Sequence, residues 1–385
     1  MGVEGAAPGA WADRFAPFEV AYLDAASQGP LPLAASRAGR DALALKERPW
    51  RITGATYLSV VAEARALVGR LLGARDEAVA LVTGVGQVVN AVARGLELHE
   101  GDEVVLAPGQ FPSNDLPWRW LARRGVRIRV AEPDHPTGAI SGAALAAAVG
   151  PATRVVAFAH VSHLHGGRID PAPVVDAARR AGALTVVDGS QAAGALPFDF
   201  GASGVDVYAA AACKFLLGPY GSAVALFSPA ALERLGVVDV NWWAVKGSED
   251  PDRLQGPGFE MRSGAARFDA HEPASFSNLL PLAESLRLLL EATPARVQAG
   301  ARAFGDRVIA RLPPGLQVAS PLEPERRSHL ICLRGEGAAA TQALHERLLE
   351  AKVVTALRGD RIRVSPHLYS ADADADRLLA ALGAR

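Results

Sequence analysis

The sequence predicts an α/β fold, with a large domain whose mixed, mostly parallel sheet is flanked by helices, followed by a smaller α+β domain. Three features carry this expectation. From about residue 78, short runs rich in β-branched residues alternate with helix-like stretches. Most of these runs are nearly continuous in apolar residues, as strands covered on both faces of a sheet must be. After about residue 228 the alternation gives way to a segment, 241–267, rich in Gly, Pro, Trp and charge.

The strand-like runs are 78–83, 103–107, 126–130, 154–159, 184–188, 205–210 and 222–227, with helical stretches at 87–96, 141–149 and 171–180 between them. Beyond the crossover, helices are expected at 279–292, 294–312, 339–350 and 371–382, and strands at 316–319, 329–333 and around 362–364. An arm, Tyr22-Leu-Asp-Ala-Ala-Ser-Gln-Gly-Pro-Leu-Pro32, precedes a further helix. The expected organisation is residues 1–45 as an arm and helix joining the small domain, 46–260 as the large domain and 261–385 as the small one.

Composition narrows the function. The 385 residues carry a net charge of -1, which gives no electrostatic reason to bind nucleic acid or an anionic membrane. No run approaches the length of a membrane span, and the first residues lack the basic and apolar regions of a secretory signal. The two cysteines, Cys213 and Cys332, make no disulfide framework and point to a reducing compartment, hence the cytoplasm. Lys46, Lys214, Lys246 and Lys352 are the only lysines, so chemistry that needs a primary amine has four candidates.

Two strand ends stand out. Val186-Val-Asp-Gly-Ser-Gln-Ala-Ala-Gly194 ends a buried strand in Asp188, and Ala210-Ala-Ala-Cys-Lys-Phe-Leu-Leu-Gly-Pro-Tyr-Gly221 ends another near Lys214. Open α/β sheets build their sites at such C-terminal strand ends. Read singly, Asp188 could cap a helix and Lys214 could lie at the surface. Together they match what pyridoxal phosphate (PLP) requires: a lysine amine for a Schiff base and an acid that keeps the pyridine nitrogen protonated. Upstream, Leu81-Val-Thr-Gly-Val-Gly-Gln-Val-Val-Asn90 runs from strand into helix, where free amides and the helix dipole suit a phosphate. As a dinucleotide fingerprint it fails at Val89, which stands where the third glycine belongs.

These segments, in this order, resemble the class V aminotransferases of PLP fold type I, a group that includes kynureninases, cysteine desulfurases and selenocysteine lyases. The resemblance runs from about residue 20 to 380. It implies Lys214 as Schiff-base residue and proton shuttle, Asp188 on the pyridine nitrogen and Gln191 near the ring hydroxyl. It implies a phosphate cup at Gly84, Val85 and Gly86, and a ring stacked on the cofactor at Phe111, in Gln110-Phe-Pro-Ser-Asn-Asp-Leu-Pro-Trp118. In His160-Val-Ser-His-Leu-His-Gly-Gly167, His163 takes the place of an asparagine that contacts the ring hydroxyl or the substrate. The spacing of His160, His163 and His165 is a poor zinc pattern, so no metal is expected. Arg363, in Arg358-Gly-Asp-Arg-Ile-Arg-Val-Ser-Pro-His-Leu-Tyr369, matches the residue that grips the substrate carboxylate. Arg267-Phe-Asp-Ala-His-Glu-Pro273 is similar to a stretch that reaches a neighbouring subunit's phosphate, but Glu272 replaces its threonine and would repel that group. Trp242 and Trp243 are either core or the lip of a substrate mouth.

The resemblance implies a homodimer acting on an α-amino acid. Desulfurases need a thiol on a mobile loop before the substrate arginine, and 352–361 contains none. An aminotransferase-like reaction is the leading expectation. A cysteine-independent C–S or C–Se lyase and a kynureninase-like hydrolase stand behind it. From other classes, a nicotinamide or flavin oxidoreductase and a non-catalytic PLP-fold binding protein remain as alternatives.

Overall fold

A computed structural model describes residues 9–250, 252, 254 and 258–384. The reading of the first six residues therefore lies outside the described residues. The chain opens with β1 (Ala21–Tyr22), α1 (Leu33–Lys46) and α2 (Gly54–Leu72). It continues through β2 (Val79–Val82), α3 (Val85–Gly95), β3 (Glu103–Leu106), α4 (Leu116–Trp120), β4 (Arg127–Val130), α5 (Gly142–Ala147) and β5 (Thr153–Ala159). Next come α6 (Pro171–Ala181), β6 (Leu184–Asp188), α7 (Phe200–Ser203), β7 (Val207–Ala211), β8 (Ala223–Phe227) and α8 (Pro229–Arg234).

Strands β2 to β8 form one seven-stranded sheet in the order β2-β8-β7-β6-β5-β3-β4. Only β8 runs against its neighbours, β2 and β7; the other pairs are parallel. The C-terminal ends of β2, β3, β5, β6 and β7 therefore share one edge of the sheet. The expected strand runs all appear. Strand β4 departs from the pattern of burial on both faces because it is the outermost strand, and Arg127 and Arg129 on it are exposed.

The C-terminal half holds α9 (Phe276–Ala292), α10 (Pro294–Ala310), β9 (Gln317–Val318), β10 (Ile331–Arg334), α11 (Ala338–Glu350), β11 (Val353–Val354), β12 (Ala356–Arg358), β13 (Arg361–Val364) and α12 (Asp372–Leu382). Strands β12-β13-β10-β9 make an antiparallel sheet, while β1 pairs parallel with β11. Phe304, Ile331, Leu348, Ile362, Val364 and Leu378 belong to the separate core beneath it.

Two features of the packing bear on the expected organisation. Helix α9, assigned by sequence to the small domain, contributes Leu279, Leu282, Leu286 and Leu289 to the core on one face of the large sheet. Helices α1 and α2 both pack on α9, so α1 lies in that layer, while the β1 arm pairs with β11 of the C-terminal half. The reason lies in the unforeseen helix α2, whose Val60, Val61, Ala64, Leu67, Val68 and Leu71 recur at helical spacing. Thr53 caps its start by accepting from Thr56 N, and Gly73, at φ 65°, ends it in the left-handed conformation.

Candidate active site

The turn after β7 places Lys214. Leu217 N donates to Lys214 O (3.0 Å) and Gly218 N to Ala212 O (2.8 Å), with Leu217 held at φ 55°. Three distant elements clamp this turn. Ser285 Oγ on α9 donates to Leu217 O (2.7 Å), and His367 Nε2 lies 3.1 Å from Phe215 O. Gly29 N of the arm donates to Cys213 O (2.7 Å). A Cβ on Gly29 would stand 2.0 Å from Lys214 O, so no other residue lets the arm approach so closely.

The Lys214 Nζ lies 5.1 Å from the centre of the Phe111 ring. Burial pushes the pKa of this amine down; Asp188 and Cys213 oppose the shift, and Arg363 and Arg358 add to it. Asp188, the last residue of β6, is 8 % exposed and accepts from Ser190 N (2.9 Å) through Oδ1. Gln191 is buried one turn further on; its Nε2 donates to Ala26 O (2.9 Å), while its Oε1 is buried with no partner among the described residues.

His163 joins the same group: its ring meets Phe111 edge to face at 5.4 Å. Burial, then the charges of Arg363, Lys214 and Arg358, push its pKa down to about 4, so it is neutral at pH 7. The other two histidines turn elsewhere. His160 Nδ1 lies 3.4 Å from the Tyr208 hydroxyl, and the His165 Nδ1 accepts from Gly167 N (3.0 Å).

Gly84, Val85 and Gly86 form the start of α3, whose first turn has no side-chain cap. Its amides are thus available to an anion, and the space over Gly86 is open as far as Ser113 Oγ, 3.7 Å from where a Cβ would be. Ser113 belongs to the turn after Phe111, so the start of α3 and the Phe111 segment are neighbours.

Arg363 is 1 % exposed and its guanidinium is already occupied. Nη1 donates to His163 O (3.0 Å), and Nη2 donates to Asp24 Oδ1 (3.0 Å) and Ser27 Oγ (2.8 Å). Arg358 Nη2 also donates to Ser27 Oγ (2.8 Å). Sequence reasoning missed Asp24, Ser27 and Arg358 as site residues. The signal was present in the arm, where an acid and a hydroxyl precede a Gly-Pro turn, but nothing local tied that arm to residues more than 300 positions away.

Other residues stay apart from this group. Glu272 is exposed and lines a cavity of about 520 Å³ with Thr83, Gln87, Gly221 and Asn278. Arg267 donates to the carbonyls of Leu232 and Leu235 at the end of α8. Trp243 is core: its Nε1 donates to the buried Asp269 (2.8 Å), which also pairs with Arg65 (2.6 Å). Trp242 borders a smaller apolar pocket with Tyr57 and Leu58. Cys332 is fully buried, and burial pushes its thiol up to about 11.

The residues gathered around Lys214 fit PLP in chemical type: an amine of lowered pKa, an acid at a strand end, an unpartnered buried amide oxygen and an uncapped helix start. Comparison with known proteins agrees. The model of the family described as aminotransferase class-V matches residues 22–355. Isopenicillin N epimerase of Streptomyces clavuligerus is 30 % identical over 381 residues, 95 % of this chain and 94 % of that protein. The cysteine desulfurase CsdA of Escherichia coli superposes with a TM-score of 0.82 at 20 % identity, over 97 % of this chain and 96 % of its own. A C-DES mutant with glycine covalently linked to its PLP cofactor superposes at 0.80 and 21 % identity, over 94 % and 96 %.

Proposed function

The chain belongs to the class V aminotransferase family, and on that premise we propose that it holds PLP through Lys214 and moves a proton at the α-carbon of an amino acid. The observation that carries this reading is Lys214 itself: a half-buried amine of lowered pKa, beside the Phe111 ring and within the field of Asp188. When bound, PLP supplies an aldehyde that condenses with amines and a ring that takes up the electron pair of a bond broken at the α-carbon.

The chain's own residues do the rest. A lowered pKa keeps Lys214 Nζ neutral for a larger share of the time than a solvated lysine, so it can take the α-proton and return it. Asp188 holds a proton on the pyridine nitrogen. Phe111 fixes the plane of the ring, and the buried Gln191 and neutral His163 offer polar contacts to its edge. The amides of Val85 and Gly86 bind the phosphate. Arg363 and Arg358 orient the substrate carboxylate.

Aminotransferase-like chemistry is the leading outcome; besides removal of the α-proton by Lys214 it would require delivery of that proton to the cofactor and release of the keto acid by water. The long match to isopenicillin N epimerase favours a second outcome, return of the proton to the opposite face of the α-carbon. Sulfur transfer through a protein persulfide lacks support: Cys332 is buried with a raised pKa, and the carbonyl of Cys213 is held by the arm. The reading includes a homodimer in the cytoplasm, which light scattering and fractionation of the host cell would test.

The deciding experiment is to load the chain with PLP, record its visible absorption, and add a panel of amino acids. Keto acid release identifies transamination, loss of optical purity identifies epimerisation, and sulfide or alanine identifies a lyase. Absence of a visible band bound to the chain would sink the cofactor reading.

A further inference from the structure

The carboxylate end of the site has an unusual charge balance. Two guanidiniums, Arg358 Nη2 and Arg363 Nη2, each lie 2.8 Å from the same acceptor, Ser27 Oγ. Two like charges sharing one neutral oxygen repel, so the arrangement calls for anions. One is resident: Asp24 Oδ1, 3.0 Å from Arg363 Nη2. Among the described residues Arg358 has no such partner; it donates only to Ser27 Oγ and the Leu357 carbonyl. The Arg363 Nε is also buried without an acceptor. Both arginines push down the pKa of Lys214 and His163, which places them on the side of the reacting amine.

We propose that Asp24 acts as a built-in counter-ion that leaves room for one further negative charge, so the site selects amino acids with a single carboxylate and an uncharged side chain, with Arg358 as the specificity-determining cation. This rests on the amino-acid reading of the Lys214 site. Arg363 and Asp24 cancel, and the α-carboxylate of a substrate cancels Arg358. A second carboxylate, as in aspartate or glutamate, would then face Asp24 with no cation left to meet it. Asp24 reaches its position because the arm is tied to the C-terminal half, through β1 on β11 and a parallel bridge from Asp24 to Ser365. The selectivity is therefore set by a residue that is far from Lys214 in sequence.

Calorimetry with two unreactive acids, propionate and succinate, tests this on the PLP-loaded chain without needing turnover. The wild type is expected to bind propionate at least about tenfold more tightly than succinate. Asp24→Asn should move that ratio about tenfold toward succinate, and Arg358→Gln should weaken propionate about tenfold. Arg358 is partly exposed, so Arg358→Gln serves even if loss of Asp24 prevents folding. Equal binding of the two acids by the wild type would overturn the proposal, as would an unchanged propionate affinity in Arg358→Gln. A chain that takes up no PLP but still shows the propionate preference would sink the cofactor reading and leave this charge assignment standing.

Discussion

The two ends of the site are built on different principles. At the sheet end, Asp188, Lys214 and the start of α3 lie at strand termini of one sheet, and the nearby Gln191 Oε1 is buried with no partner among the described residues. At the arginine end, Arg363, Arg358, Asp24 and Ser27 come from the arm and the C-terminal sheet and are joined by hydrogen bonds to one another, with one anion, Asp24, among two guanidiniums. The first end is preorganised by backbone: strand pairing aims each residue before any ligand arrives. The second is preorganised by charge compensation, which costs less to bury than an unpaired guanidinium and, on the proposal above, leaves Arg358 to meet a carboxylate. Covalent chemistry suits the former and selectivity the latter.

Substitutions can break or sharpen this contrast. The largest effect is expected at the sheet end. Lys214→Ala should abolish covalent retention of PLP and lower turnover by about 10³-fold or more; retention after borohydride treatment, followed by mass spectrometry, checks it. Asp188→Asn should leave the cofactor bound but lower turnover roughly 10- to 100-fold, because the pyridine nitrogen loses a charged partner. Comparing kcat for the two variants on one amino acid gives the order.

A pH series sharpens the contrast at the level of stability. Burial pushes His160 and His367 down to about 4 from an ordinary value of 6.5. Their folded pKa values lie below the unfolded ones, so between pH 6.5 and 4 the unfolded chain binds more protons. Stability is full above that window and falls as the pH drops through it, by up to about 1.4 kcal/mol per pH unit for each such histidine. Urea midpoints between pH 7 and 5 should decline accordingly, and His367→Gln should flatten the slope. The smallest effect is expected from thiols: Cys213→Ser combined with Cys332→Ala should keep turnover within about twofold. A loss of a hundredfold would revive a persulfide role.

Much of the fold was legible because its signals are local. Buried strands between β2 and β8 show as apolar runs, and helix starts show as caps, so element type follows from a few adjacent residues. The positions of Asp188 and Lys214 followed from strand ends, and the structure confirms the strand ends themselves. Helix α2 was not legible because Gly69 interrupts an otherwise ordinary apolar pattern and Gly54 stands at its start. The attachment of α1 and α9 to the large sheet was not legible either, since which face a helix covers is decided by its partner, not by its own periodicity.

By itself, the sequence determined the α/β alternation, the lysine and acid at neighbouring strand ends, and the glycine-rich turn from strand into helix. Each depends on interactions within a few residues. Only the tertiary structure decided what surrounds Lys214: that Gly29 presses against its carbonyl, that Phe111 and His163 meet beside its amine, and that Asp24 already occupies Arg363. Those contacts join residues separated by up to 339 positions, and burial and charge compensation act on whatever packing brings together, wherever it lies in the chain.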